Sequence, residues 1–250
     1  MNPKNKTALI TGGAHRVGKA ITLGLAQAGA NVVVNYNTSS AAAEETVADA
    51  KALGAGALAI QANVGNYREV ESMVAAAEAQ FGGVDILVNN ASLWMETPFP
   101  TADLDGWHRV TNVLINGAFY CANAVAPGML KNKEGTIINI IDLAAFEPWP
   151  NFIAHSVGKS ALLALNRQLA LELAPYVRVN AIAPGPVLPP VDYGPEKIAR
   201  SARKTLLERW GTPEDIAEAV LFFTKSNYIT GEALAVDGGQ RIAYRKNEHG

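Results

Sequence analysis

The feature that most constrains this chain is a regular alternation of two kinds of segment. Short runs rich in Val, Ile, Leu and Ala, at 7–10, 31–35, 57–61, 86–89, 136–141, 177–182 and 233–236, are separated by longer, often alanine-rich stretches at 17–29, 41–53, 67–81, 107–129, 152–174 and 213–224. The short runs are continuously apolar, the pattern of strands covered on both faces, and the long ones read as helices. Strand–helix pairs repeated in this way close as a parallel sheet flanked by helices, with right-handed crossovers. The expected fold is therefore a doubly wound, Rossmann-like α/β sandwich of about seven strands, and no break in composition divides 1–250 into more than one domain. Thr212-Pro213 offers an N-cap and first-turn pair for the last helix. The least regular stretch carries prolines at 184, 186, 189, 190 and 195. It reads as a flap over about 186–210, above the sheet's carboxyl edge. The polar tail after 240 is expected to fray or to pack on a partner subunit.

Composition excludes several classes. Lys plus Arg number 21 and Asp plus Glu 23, a net charge of −2, which argues against a dedicated nucleic-acid binder. The single cysteine, Cys121, can form neither an intramolecular disulfide nor a cysteine zinc cluster. The four scattered histidines have no metal-ligand spacing, so no metal is expected. The apolar stretch near the N-terminus is too short for a signal-peptide core, and no run approaches the ~18 apolar residues that span a bilayer. The chain is expected to be soluble and cytoplasmic, with a small molecule and no membrane or nucleic acid as partner.

Two stretches at the strand ends carry chemistry. The first strand runs into Thr11-Gly12-Gly13-Ala14-His15-Arg16-Val17-Gly18 and then a helix. A glycine turn there presents backbone N–H groups and a positive helix end to a phosphate, although a plain tight turn would look the same. Arg16 adds a positive charge. The second strand ends Val34-Asn35-Tyr36-Asn37-Thr38-Ser39, without the carboxylate that an NAD site uses for the ribose 2′-hydroxyl. The small donors Asn37, Thr38 and Ser39, with His15 or Arg16 nearby, suit a 2′-phosphate and hence NADP(H); an ordinary polar loop is the other reading.

Further landmarks follow in order: Asn63-Val64, Asn89-Asn90-Ala91-Ser92, Lys159 on a long helix, Asn180-Ala181-Ile182-Ala183-Pro184-Gly185-Pro186, and Asp237-Gly238-Gly239. Together these resemble the short-chain dehydrogenase/reductase family over essentially the whole chain. Within it, Arg16 in the glycine turn, Ser92 after Asn-Asn-Ala, Trp94, and Asp142 in place of the usual serine resemble the pteridine and dihydropterin reductases. The resemblance implies that Gly12, His15, Arg16, Val17 and the 37–39 cluster hold the adenosine and phosphates of NADPH. Asn63 and Val64 would flank the adenine, and Asn90, Ala91 and Ser92 the nicotinamide ribose. Pro184 and Gly185 would touch the carboxamide side. Ser92, Trp94, Asp142 and Pro186 would line the substrate, with Trp94 stacking on a flat pterin; a tryptophan plugging a local core is the alternative. The family also implies a homotetramer paired through its long helices, including 152–174.

The catalytic pattern of the family departs here. Its Tyr and Lys stand four apart on one helix face, and this chain reads His155-Ser156-Val157-Gly158-Lys159. Asp142 precedes His155 by the 13 residues that separate the family's serine and tyrosine. Leu114 occupies the place of a proton-relaying asparagine, and Asn112 and Asn116 face elsewhere. The resemblance leaves Lys159 to grip the nicotinamide ribose, and Asp142 to bind the pterin's amino-pyrimidine edge or relay a proton. His155 acts as a proton donor or only lines the pocket. The expected activity is NADPH-dependent reduction of a pterin, a dihydropterin above all. The alternatives are a 3-oxoacyl, sugar or other carbonyl reductase of the same family, or a non-catalytic NADPH- or pterin-binding regulator. Phe146 and Trp149 stand open between substrate wall and loop packing.

Overall fold

A computed structural model describes residues 1–189 and 193–243. Pro190 of the expected flap and residues 244–250 of the tail lie outside them. Seven parallel strands form one sheet in the order β3-β2-β1-β4-β5-β6-β7. They are β1 (Thr7–Ile10), β2 (Asn31–Tyr36), β3 (Ala57–Gln61), β4 (Ile86–Asn89), β5 (Gly135–Ile140), β6 (Val177–Pro184) and β7 (Ala233–Val236). Helices α1 (Arg16–Gln27), α2 (Ser40–Ala52), α3 (Tyr67–Phe81), α4 (Leu104–Thr111), α5 (Ala118–Asn132), α6 (Ile153–Glu172), α7 (Pro195–Ala202) and α8 (Pro213–Lys225) connect and cover them. The chain reverses its direction of winding between β1 and β4, whose registers pair Ala8 with Ile86 and Ile10 with Val88.

Continuous apolarity follows from two cores on one sheet. Along β1, Ala8 and Ile10 join Ile21, Leu25, Ile216 and Phe223 on the α1/α8 side. Leu9, between them, joins Met73, Cys121, Val125 and Met129 on the α3/α5 side. Successive side chains point to opposite faces, so both must be apolar. Each fully buried Leu, Ile or Phe contributes about 1.5–3 kcal/mol. The Thr212 N–H donates to Asp215 Oδ2 at 2.7 Å, closing the start of α8 where the sequence placed its cap.

The segment expected as one helix over 107–129 runs from Leu104 to Asn132, with a π-helical stretch at Asn112–Gly117. By length and composition alone this helix is apolar enough to cross a bilayer, although no run in it approaches ~18 consecutive apolar residues. Leu114, Cys121, Ala122, Val125 and Met129 are buried inside the fold, which accounts for that apolarity. The irregular stretch after β6 contains α7, whose N-terminal proline suits a first helical turn.

Candidate active site

The β1–β4 reversal opens a cleft at the carboxyl edge, and backbone builds its first half. Gly12 has φ +60, and a Cβ there would lie 3.2 Å from Ala91 Cα. A Cβ on Gly18 would lie 2.2 Å from Gly12 O, so the turn closes only with glycine at that place. Thr11 Oγ1 accepts from the Asn90 and Ala91 N–H groups, each at 2.9 Å, while Asn90 Nδ2 donates to the Thr11 and Gly12 carbonyls. Asn90 and Ala91 are thereby fixed beside Gly12. Buried Asn35 contributes a clamp the sequence reading did not single out: its Oδ1 accepts from the Gly12 N–H at 3.2 Å and its Nδ2 donates to Ala62 O.

These residues fit a dinucleotide. Helix α1 starts at Arg16 with no side-chain cap and no acid in its first turn, which leaves its positive end to a phosphate. His15 and Arg16 are exposed there and Val17 is half-buried. Arg16 has φ +50 and its Nη2 donates to Leu188 O at 3.3 Å, so the turn and the segment after β6 meet across the cleft. At the end of β2, Asn37 and Thr38 are exposed, and Ser39 caps α2 without a side-chain bond or a nearby acid. No carboxylate there repels a 2′-phosphate. Asn63 is turned to its own backbone, its Oδ1 accepting from Gly65 N–H, and Val64 is buried.

Side chains build the other half, around β5 and α6. Asp142 sits two residues beyond β5, at the start of a short 3₁₀ turn, and its Oδ1 accepts from Ala144 N–H at 2.9 Å. Its Oδ2 pairs with His155 Nε2 at 2.6 Å. One turn along α6, the buried Lys159 donates to Ile140 O at 2.9 Å. The structure therefore brings Asp142, His155 and Lys159 together, but not with His155 foremost. His155 is only 2% exposed and its Nδ1 is buried without a partner, whereas the Asp142 side chain keeps 18% exposure. Leu114 is buried against Gly158, where a Cβ would meet it at 2.7 Å. Asn112 donates instead to Gly65 O and Asn116 to Asn112, away from Lys159 as expected.

Electrostatics follow from this burial. Desolvation pushes the Asp142 carboxyl up, but the His155 hydrogen bond, the Lys159 charge and the Ala144 N–H together hold it below its ordinary value. Burial pushes the Lys159 ammonium down, partly opposed by Asp142. Asp142 is consequently an anion at neutral pH and a poor acid by itself. The Cys121 thiol is pushed up to about 12 by burial and is no nucleophile.

Aromatic side chains wall the pair. Trp94 is 59% exposed, so it plugs no core. Its ring meets Phe152 at 4.4 Å and His155 edge-on at 4.8 Å. Trp149 stacks on His155 at 5.9 Å and 12°, which draws it into the site where the sequence left it open. Ser92 is exposed two residues before Trp94. Gly185 donates to Val236 O, and a Cβ on it would fall 2.5 Å from Asp237 Cα, so it serves the approach of β6 to β7. Pro184 ends β6 and pairs in register with Val236. Pro186 lines a separate cavity of about 390 Å³ with Val187, Leu206, Asp237 and Gly239, none of which joins the Asp142 cluster. Among the described residues no group of His, Cys, Asp and Glu could hold a metal ion.

Comparison with known proteins agrees with this architecture. The family model described as Enoyl-(Acyl carrier protein) reductase matches residues 12–241. A 3-oxoacyl-[acyl-carrier-protein] reductase of Synechocystis sp. is 38% identical over 239 residues, covering 94% of this chain and 96% of the relative. A 3beta-hydroxysteroid dehydrogenase 1 of Eggerthella lenta is 35% identical, over 96% and 95% of the two chains. The crystal structure of FolM Alternative dihydrofolate reductase 1 from Brucella suis, in complex with NADP, superposes with a TM-score of 0.91 at 35% identity, covering 98% of each chain. The fold and site define a nucleotide-binding oxidoreductase. The chain belongs to the short-chain dehydrogenase/reductase family.

Proposed function

We propose that this protein is an NADPH-dependent reductase of pterins, converting a dihydropterin to a tetrahydropterin. The observation that carries the reading is the exposed Trp94 standing edge-on to His155, beside an Asp142 that pairs with His155 at 2.6 Å. A flat bicyclic ring needs an aromatic face to lie on and a carboxylate for its amino-pyrimidine N–H groups, and Trp94 and Asp142 supply both. The similarity to the Brucella suis dihydrofolate reductase supports the same substrate class. NADPH, when bound, supplies the hydride to ring carbon C6. The glycine turn, Arg16 and residues 37–39 would hold its phosphates, and Lys159 its nicotinamide ribose.

The protein's remaining task is a proton at ring nitrogen N5. Asp142 is held ionised, so it orients His155 and the substrate instead of giving up a proton of its own. A solvent water hydrogen-bonded to the exposed side of the Asp142 carboxylate passes the proton to N5 and is reprotonated from bulk solvent. His155 is thus a positioning residue behind Asp142, which makes the substrate contact.

Reduction of a 3-oxoacyl thioester is the second reading, favoured by the Synechocystis relative. Such a ketone develops an alkoxide that needs an acid directly beside it, and His155 is buried behind Asp142. Following NADPH absorbance with dihydrobiopterin, dihydrofolate and acetoacetyl thioesters separates the readings. Turnover of dihydropterins above the thioesters is expected. Turnover of thioesters alone overturns the proposal, and cofactor binding with no turnover favours a non-catalytic role.

A further inference from the structure

Trp149 has two faces in this site. It stacks on His155, and it also lines a cavity of about 240 Å³ together with Leu143, Glu147, Lys204 and Arg241. Leu143 directly follows Asp142, so the cavity adjoins the candidate active site through two residues. Its walls come from the β5–α6 loop, the stretch after α7 and the turn after β7. Whole-ligand pockets are usually about 300–1,000 Å³, so this one has the size of a substituent.

The cavity's chemistry is selective. Leu143 and Trp149 give an apolar side, and Lys204 and Arg241 bring two positive charges against the single carboxylate of Glu147. Among the described residues neither cation is in an ion pair. Arg241 is nevertheless held: its Cζ lies 4.7 Å over the Phe146 ring, and its backbone N–H donates to Asp237 Oδ2 at 2.8 Å. A guanidinium resting on a ring keeps its N–H donors free for an anion.

We propose that this cavity is a subsite for an anionic tail, a carboxylate or phosphate carried by the substrate whose ring is reduced beside Asp142. The identity of the ring rests on the pterin reading; the anion rests on Lys204 and Arg241. Apolar atoms of the tail pass over Trp149 and Leu143, and its charged end meets the two cations. Glutamyl carboxylates and a phosphate ester share this chemistry, and the substrates tested tell them apart.

The test compares dihydrofolate, dihydroneopterin phosphate and the uncharged-tail dihydrobiopterin, which share one ring, on the wild type and on the Lys204→Ala/Arg241→Ala variant. Both side chains are exposed, so the substitutions leave the core intact. An anionic substrate should have a KM about tenfold below that of dihydrobiopterin, the scale of charge-assisted hydrogen bonds. The variant should raise that KM about tenfold with kcat unchanged, and shift dihydrobiopterin by less than about twofold. High salt should mimic the variant. Preference for the folate or for the phosphate ester identifies the source of the anion. Equal KM values in the wild type, or a preference that survives in the variant, overturn the subsite. If no dihydropterin is reduced, the pterin reading fails separately, and titration calorimetry with p-aminobenzoylglutamate decides the cavity: binding to the wild type and not to the variant upholds it, and no difference overturns it.

Discussion

On the β1–β4 side of the sheet edge, function is shaped by backbone; on the β5 side, it is shaped by side chains. The first half is a glycine turn pinned by Thr11, Asn35 and Asn90, with the His15 ring and the Arg16 charge out in solvent. The second half encloses a carboxylate, an imidazole and a lysine, and the cost of burying them is offset only in part by mutual pairing and by the Ile140 carbonyl, since His155 Nδ1 has no partner. A backbone cradle can serve any dinucleotide enzyme. An enclosed set of charges suits one reaction, so the second half is where the chemistry of this chain is decided.

The halves should respond separately to substitution. The largest effect expected is from Asp142→Asn, which removes the anion that pairs with His155 and that the proposed function sets against the ring. Turnover of dihydropterin should fall by about two orders of magnitude or more, with NADPH affinity unchanged within about twofold. Single-turnover kinetics and calorimetry check the pair of values; a matching loss of cofactor affinity would merge the halves. On the cofactor side, Gly18→Ala drives a methyl into the Gly12 carbonyl and should cost about 1–3 kcal/mol of stability, read from denaturant unfolding. NADPH affinity should fall with it.

Trp94→Ala should raise the dihydropterin KM by the equivalent of about 1–2 kcal/mol and leave NADPH binding alone. An unaltered KM removes Trp94 from the substrate. With no acid at 37–39, NADPH should bind at least about tenfold more tightly than NADH, roughly 1.4 kcal/mol, and equal affinities by calorimetry would show that the loop does not read the 2′-phosphate.

The smallest effect is a pH dependence of stability. The folded value of Asp142 is lowered, so its contribution is fully present above the unfolded carboxylate value of about 4 and is lost as pH falls through the folded one. The acid side of a Tm profile should therefore be flatter in Asp142→Asn than in the wild type. Superimposable profiles would mean that the pairing adds nothing to stability.

How much of this was legible beforehand follows the same division. Each strand was readable because burial on two faces leaves a continuous apolar run, and the Gly12 turn because its glycines are tied to backbone approach. The Asp142–His155–Lys159 set was readable through the family resemblance, which supplies the separations; helix periodicity alone says only that 155 and 159 share a face. What spacing could not supply was depth. His155 Nε2 turns to Asp142 and leaves the imidazole behind the carboxylate, a result of packing by Trp94 and Trp149 from two separate loops. Asn35 looked like one more polar residue at a strand end, and only the sheet puts it under Gly12. Lys204 and Arg241 are 37 positions apart, and nothing in their neighbourhoods signals that they share a cavity with Trp149. The π-helical stretch at Asn112–Gly117 has no periodic signature of its own.

A crystal structure with NADP and a dihydropterin tests the central claim most directly. The account predicts the ring lying against Trp94, its amino-pyrimidine edge on the Asp142 carboxylate, and His155 behind that carboxylate without touching the ring. A ring bound elsewhere in the cleft, or His155 in contact with it while Asp142 faces away, would contradict the account.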